Sequence, residues 1–244
     1  MKDFLQDIVA HIHTLGVLPN IRVNATSSQV DIDALSDDRH VVLKASTHKN
    51  VNGLEGSFAM NNLHKLDLHL KCPEYRDNAN ISVVIENRGG VMIPTGIHFQ
   101  NETGDFQNDF RFGHKSLLDL TMMKSVDLNI NNWDIEFQPT QANIQRFKYQ
   151  VSAHTEETLF HVSTQDNNLI FSFGDLNTHA GSFVFQSGIT GTITGNWLWP
   201  KSTILNVLNL DGDKFVKITD KGAFQITVDS GIAVYNYIFK AHVK

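Results

Sequence analysis

Phe106-Gln107-Asn108-Asp109-Phe110-Arg111-Phe112 opens the stretch that decides how the chain is organised. Leu117-Leu118-Asp119-Leu120-Thr121-Met122-Met123-Lys124-Ser125-Val126-Asp127-Leu128 follows, and Trp133-Asp134-Ile135-Glu136-Phe137-Gln138 closes it. The two outer segments alternate apolar and polar residues, as half-buried strands do. The middle segment is too apolar for a solvated loop, yet it has a period of neither 2 nor 3.6. Such a segment suits a connector laid across a surface, and it marks the joint between two copies of one domain. The expected boundaries are 1–116 for the first domain, 117–132 for the connector and 133–244 for the second.

Reading outward from that joint, both flanks repeat one order of elements. On the N-terminal side Lys2 to Leu15 is a helix with Phe4, Leu5, Ile8, Ile12 and Leu15 on one side, and Gly16 is placed to stop it. Strands are expected at Ile21–Ala25, Val30–Leu35 and His40–Ser46, with a tight turn at Asp37-Asp38. Glu55–Met60 leads into a short helix with Leu63, Leu66 and Leu70 on one face. Further strands are expected at Ile81–Glu86, Val91–Ile93, Ile97–Gln100 and Phe106–Phe112. On the C-terminal side Thr140–His154 is a helix with Ile144, Phe147 and Val151 inward, and strands follow at Leu159–Ser163, Leu169–Gly174 and Ser182–Gln186. Thr194–Trp199 leads into Pro200 and a helix with Ile204, Val207 and Leu208 inward. Strands at Phe215–Thr219, Ala223–Val228 and Val234–Phe239 complete the order. Helix, three strands, short helix, further strands: the same order twice indicates a duplication.

Size and composition allow this. At 244 residues, 41% apolar and 19% charged, the chain can build two ordinary cores. The N-terminus, Met1-Lys2-Asp3-Phe4, has no signal-peptide core, and no apolar run approaches the ~20 residues of a membrane helix. The single cysteine, Cys72, excludes an internal disulfide framework and fits a reducing compartment. A net charge of −6 argues against nucleic acid coating the whole surface, but leaves room for one basic face. The four helical segments carry six basic residues (Lys2, Lys65, Lys71, Arg146, Lys148, Lys201) and three acids (Asp3, Asp7, Asp67). That is a surplus of three, so the remainder of the chain carries −9. Lys65 and Arg146 point away from the apolar faces, while Lys2, Lys71, Lys148 and Lys201 lie on their flanks. Basic helix faces without tight pairing attract phosphates independently of sequence. Ordinary solvated helix faces would read the same way from charge alone.

This order of elements resembles the DNA sliding clamps, particularly the processivity clamp of T-even-type phages and, in the first half, proliferating cell nuclear antigen. Ala34–Leu43 looks like the clamp loop and strand that wall the partner-peptide pocket, and Leu117–Leu128 looks like the interdomain connector. Gly181–Gln186 is similar to the edge strand that pairs with a neighbouring subunit, and Tyr237–His242 to the segment that completes the pocket. The resemblance implies an α+β DNA clamp fold: two similar domains, each of two helices packed on curved antiparallel sheets. It implies a homotrimeric ring around duplex DNA that tethers a DNA polymerase after loading by a clamp loader, and location in the cytoplasm, the host cell's if phage-encoded. It assigns a DNA-facing set of Lys2, His13, His64, Lys65, Lys71, Gln145, Arg146, Lys148 and Lys201. The partner pocket is Leu35, Val41, Leu43, Met122, Met123, Val126, Leu128, Phe239 and Ala241, where methionines suit a surface that repacks around several peptides. Subunit contacts fall to Phe106, Phe110 and Phe112 on one edge and to Phe183 and Phe185 on the other. The helices carry fewer cations than a clamp would be expected to have, with histidines and amides in their place.

Other chemistries find less support. His11 with His13 and His64 with His69 are not i, i+4 pairs, and no cysteine or carboxylate cluster completes a metal site. Asp31 with Asp33 and Asp211-Gly212-Asp213 lack the remaining ligands of a calcium loop. Nucleophile elbow, phosphate loop and dinucleotide fingerprint are all missing, so neither catalysis nor a cofactor is expected. The competing class is an all-β assembly protein, such as a virion component, with no DNA contact.

Overall fold

A computed structural model describes residues 1–113, 130, 132–175 and 179–243. The apolar connector Leu117–Leu128 lies outside them. The chain divides into two compact units, Met1–Val126 with Ser230–Tyr235 and Asp127–Asp229 with Asn236–Lys244.

In the first unit α1 (Lys2–His11) and a 3-10 turn (His13–Leu15) bury Phe4, Leu5, Ile8, Val9, Ile12 and Leu15. Each such side chain taken from water contributes about 1.5–3 kcal/mol. Ile12, at φ −121°, separates helix from turn, and Gly16 ends the turn at φ 71°, a conformation a side chain would resist. Strands β1 (Asn20–Ala25), β2 (Val30–Leu35), β3 (Val41–Thr47) and β4 (Gly56–Asn61) run antiparallel in the order β4-β1-β2-β3. Helix α2 (Leu63–Lys71) begins at Asn62, whose side chain accepts from the Lys65 amide, and it packs on α1. Strands β5 (Asn80–Arg88), β6 (Val91–Gln100) and β7 (Gln107–Arg111) form a second antiparallel sheet. A bridge between Ala59 and Gly113 joins its end to β4.

The second unit repeats this plan. After β8 (Ile135–Phe137), α3 (Gln141–Ala153) starts at Thr140, whose hydroxyl accepts from the Asn143 amide at 3.2 Å. Strands β9 (Leu159–Gln165), β10 (Asn168–Phe173), β11 (Gly181–Ser187) and β12 (Trp197–Pro200) take the order β11-β10-β9-β12, continued by β16 (His242–Val243). That is the first unit's β3-β2-β1-β4 arrangement. Helix α4 (Lys201–Leu208) follows, and β13 (Asp213–Thr219), β14 (Ala223–Asp229) and β15 (Ala233–Lys240) run in the order β15-β14-β13-β8. Phe147 anchors α3 here, its ring 5.0 Å from Phe160 and 5.4 Å from Phe171, while Phe171 stacks on Phe185 at 4.3 Å. The fold is therefore α+β, antiparallel and duplicated in its order of elements, as the sequence implies.

Two sequence expectations need correction. Val91–Ile93 and Ile97–Gln100 were separated at Pro94, whereas β6 runs through it unbroken. The register slips between Val84 and Ile85, which places Pro94 at an irregularity and Thr95 out of step. The pairing of β6 with β7 starts only at Gly96, so no ladder needs the amide that proline lacks. Second, Ser230–Tyr235 clusters with the first unit rather than with residues 133–244. The reason is a buried polar node. Asp7, only 8% exposed, accepts from Tyr235 Oη at 2.6 Å and from Ser230 Oγ at 3.0 Å, and lies 3.1 Å from His11 Nδ1. The His11 ring stacks on Tyr235 at 4.7 Å, and the His48 amide donates to the Ile232 carbonyl.

Removing the phenol leaves a buried carboxylate short of a donor. Tyr235→Phe is expected to destabilise the protein by about 1–3 kcal/mol in urea denaturation, and Asp7→Asn by less than Asp7→Leu. A second node responds to pH. Burial pushes the Asp220 carboxyl up, but donation from Thr194 Oγ1, from the Gly195 and Thr194 amides and from the Trp197 indole outweighs it, holding the pKa below the usual 3.8. A depressed carboxylate contributes stability above its unfolded value and loses it as pH falls through the folded one. Asp220→Asn should lower Tm at neutral pH and flatten the loss of Tm seen as wild type is taken below pH 3.8.

Candidate nucleic-acid interface and protein-binding edges

The outward helix faces are built by exclusion, since whatever the apolar faces do not bury is left to solvent. In the first unit these positions include Gln6, Ala10, Thr14, His64, Lys65 and Leu68, all exposed, with His13 half-buried. The His13 and His64 rings, on different helical segments, lie 5.8 Å apart. His69 is half-buried against Phe99, and burial, with Lys65 nearby, lowers its pKa, so at neutral pH it adds no positive charge. In the second unit Gln145, Arg146, Lys148 and Tyr149 face outward. Tyr149 is 72% exposed and lines a concavity of about 460 Å³ with Gln145, Arg146, Gln150 and Phe183.

Of the nine residues assigned to DNA, Lys201 is misplaced. It is 4% exposed, and its ammonium donates to the carbonyls of Val151, at 3.2 Å, and His154. A cation on the last carbonyls of α3 satisfies groups that the helix leaves open and meets the negative end of its dipole. Lys2 acts similarly: its Nζ donates to the carbonyls of Tyr75, at 3.0 Å, and Arg76, at 2.6 Å. Lys71 pairs with Asp67 at 2.6 Å. These are three of the four cations that the helical wheels put on the flanks, and flank positions reach neighbouring backbone and acids. Lys65, Arg146 and Lys148 remain exposed, with no ion pair to a described residue. Asp7, counted against the DNA face, points inward to Tyr235. Lys201→Met should therefore lower Tm, with helix α3 losing amide-exchange protection at its C-terminal end, and should leave nucleic-acid affinity of the folded fraction unchanged.

The pocket residues fare differently. Val41, Leu43, Phe239 and Ala241 are buried, Leu43 and Phe239 wholly. These four are core in this structure: Val41 and Leu43 share one face of β3, Phe239 lies in β15 and Ala241 just past its end. Leu35 is partly exposed at the end of β2. Met122, Met123, Val126 and Leu128 lie outside the described residues.

Of the edge phenylalanines, Phe110 and Phe185 are core, at 2% and 1% exposure. Alternation gives Phe185 the same phase as Phe183, and Phe110 the same as Phe112, so neighbours decide: Phe185 stacks on Phe171 at 4.3 Å and Phe110 meets Phe112 edge-on at 6.2 Å. Phe106 is 41% exposed beside Tyr75, Phe112 stacks on Phe58 at 4.1 Å while half-buried, and Phe183 is half-buried on β11. Val184, exposed on the same strand, was missed because it stands between two aromatics. Among the described residues β11 ends its sheet and β7 ends the three-stranded sheet, so both carry unpaired backbone donors and acceptors.

With this geometry in place, comparison with solved structures is decisive for the fold. PCNA from Thermococcus kodakaraensis matches with a TM-score of 0.68 at 9% identity, over 99% of this chain and 97% of that one. The chain has the PCNA fold. A. fulgidus PCNA, solved with the C-terminal region of FEN-1 bound, also matches at 0.68 and 9% identity, over 100% of this chain and 95% of that one. Proliferating cellular nuclear antigen from Entamoeba histolytica matches at 0.66 and 7% identity, over 99% and 94%. No family model and no curated protein sequence matches the chain. Among the described residues no helix is long and apolar enough to cross a membrane.

Proposed function

We propose that the chain is a DNA sliding clamp of the T-even phage kind: a non-enzymatic homotrimeric ring that encircles duplex DNA and tethers a replicative polymerase. The observation that carries this reading is the PCNA fold matched over the full length of both chains. The duplicated units, each with a two-helix layer that has a polar outer face, support it. So do β7 and β11, whose free edges suit a head-to-tail contact that closes into a ring. Phe106, Phe112, Phe183 and Val184 are apolar side chains at or beside these edges that reach the surface.

In this proposal Lys65, Arg146 and Lys148 supply the phosphate attraction, with His13, His64 and Gln145 beside them. Such a sparse set is enough when topology holds the DNA, and weak contacts let the ring slide. The partner-peptide contacts in this proposal are Leu35 and the connector residues Met122, Met123, Val126 and Leu128. The polymerase and an ATP-driven loader are the expected partners, in the cytoplasm of the host if a phage encodes the chain.

Light scattering should give the mass of three chains. After loading, the protein should stay on nicked circular DNA and leave rapidly once the circle is cut; retention that ignores the cut would reject sliding. Joint replacement of Lys65, Arg146 and Lys148 by Ala should shorten retention and reduce its salt dependence while the trimer mass holds, since each lost phosphate contact removes about 0.9 from the logarithmic salt slope.

A further inference from the structure

We propose that His13 and His64 form a two-histidine site for a divalent transition metal of the zinc or nickel type, clipping the end of the first helical segment to the start of α2. The two residues are 51 positions apart, so neither helix's own spacing reveals the pair. Their ring centroids are 5.8 Å apart, with planes tilted by 48°. A Zn–N bond of about 2.0–2.1 Å puts each ring centroid about 3.2 Å from the metal, so two imidazoles at a tetrahedral angle have centroids about 5.2 Å apart. The remaining few tenths of an ångström lie within the broad torsional freedom of histidine's second side-chain angle.

The backbones that carry the rings are fixed. His13 opens a 3-10 turn between buried Ile12 and buried Leu15, ended by Gly16 at φ 71°. His64 lies in the first turn of α2, between buried Leu63 and Leu66, on a helix capped by the Asn62 side chain. Both residues reach solvent, His64 the more exposed, so a metal can enter and complete its shell with water. Imidazole suits this class of ion, and both rings ligate in neutral form. Among the described residues no group of three or more histidine, cysteine, aspartate or glutamate side chains converges. The site therefore offers two protein ligands. The adjacent Lys65 and the positive end of α2 oppose a cation, which sets its affinity well below that of a structural zinc centre. The site stands on this geometry alone and does not require that the chain encircle DNA.

The test is titration of the intact protein with Zn²⁺ by calorimetry, in parallel with thermal melting. Wild type should bind one more Zn²⁺ per chain than His64→Gln, and its Tm should rise with Zn²⁺ where that of the variant does not. His13→Gln should remove the same site, and the double variant should match either single one. A chelate's second ligand binds at an effective concentration in the millimolar range, so each loss should weaken the site by about tenfold or more. His179→Gln, at an exposed histidine elsewhere, should behave as wild type. Equal zinc stoichiometry in wild type and His64→Gln, or independent and additive effects of His13→Gln and His64→Gln, would overturn the proposal. His64 is exposed, so its variant folds and keeps the test informative even where His13→Gln lowers stability.

Discussion

The Asp7 carboxylate is the constraint on which the first unit depends. It is buried in α1 and is satisfied by a phenol and a hydroxyl from more than 220 positions further along the chain, at Tyr235 and Ser230. A carboxylate removed from water costs several kcal/mol unless its oxygens find donors. The segment Ser230–Tyr235 is therefore part of what makes α1 foldable in this position. His11 closes the node from within the helix, by contact with Asp7 and by stacking on Tyr235. The first unit is consequently discontinuous in sequence, taking in Ser230–Tyr235.

The same economy governs the cations. Lys201 and Lys2 satisfy carbonyls at the ends of helical segments, and Lys71 answers Asp67. What remains outward on the helices is Lys65, Arg146 and Lys148, interleaved with amides, histidines and one exposed tyrosine. Under the proposed reading such a surface would hold a polyanion weakly, and an enclosing ring would prevent escape without contact energy. The PCNA fold and the thin charge are thus consistent with each other under the proposed reading.

Duplication shows in pairing order more clearly than in residues. The β4-β1-β2-β3 order of one unit recurs as β12-β9-β10-β11 in the other, each followed by a second helix and a three-strand antiparallel run. The cores differ: mainly aliphatic side chains with Phe4 and Tyr235 around α1 in the first, and a phenylalanine cluster around Phe147 in the second. Topology persists because strand alternation and helix amphipathicity tolerate many apolar substitutions. At 7–9% identity to matched PCNA chains, little beyond that pattern is shared.

Periodicity by itself determined the elements. The apolar faces of Phe4, Leu5 and Ile8, of Leu63, Leu66 and Leu70, and of Ile144 and Phe147 were legible because a helix side facing a core must be apolar wherever the chain goes. The repeated order was legible for the same reason; the α+β clamp architecture came from the family resemblance that this order carries. Tertiary structure alone decided which polar and aromatic residues are available. Lys201 and Lys148, both on helix flanks, look alike in sequence, as do Phe185 and Phe183, yet one of each pair is buried by neighbours distant along the chain. The burial of Asp7 and the approach of His13 to His64 are likewise contacts across dozens to hundreds of residues. Local pattern carries no record of such contacts, because they exist only once the helices and sheets have packed.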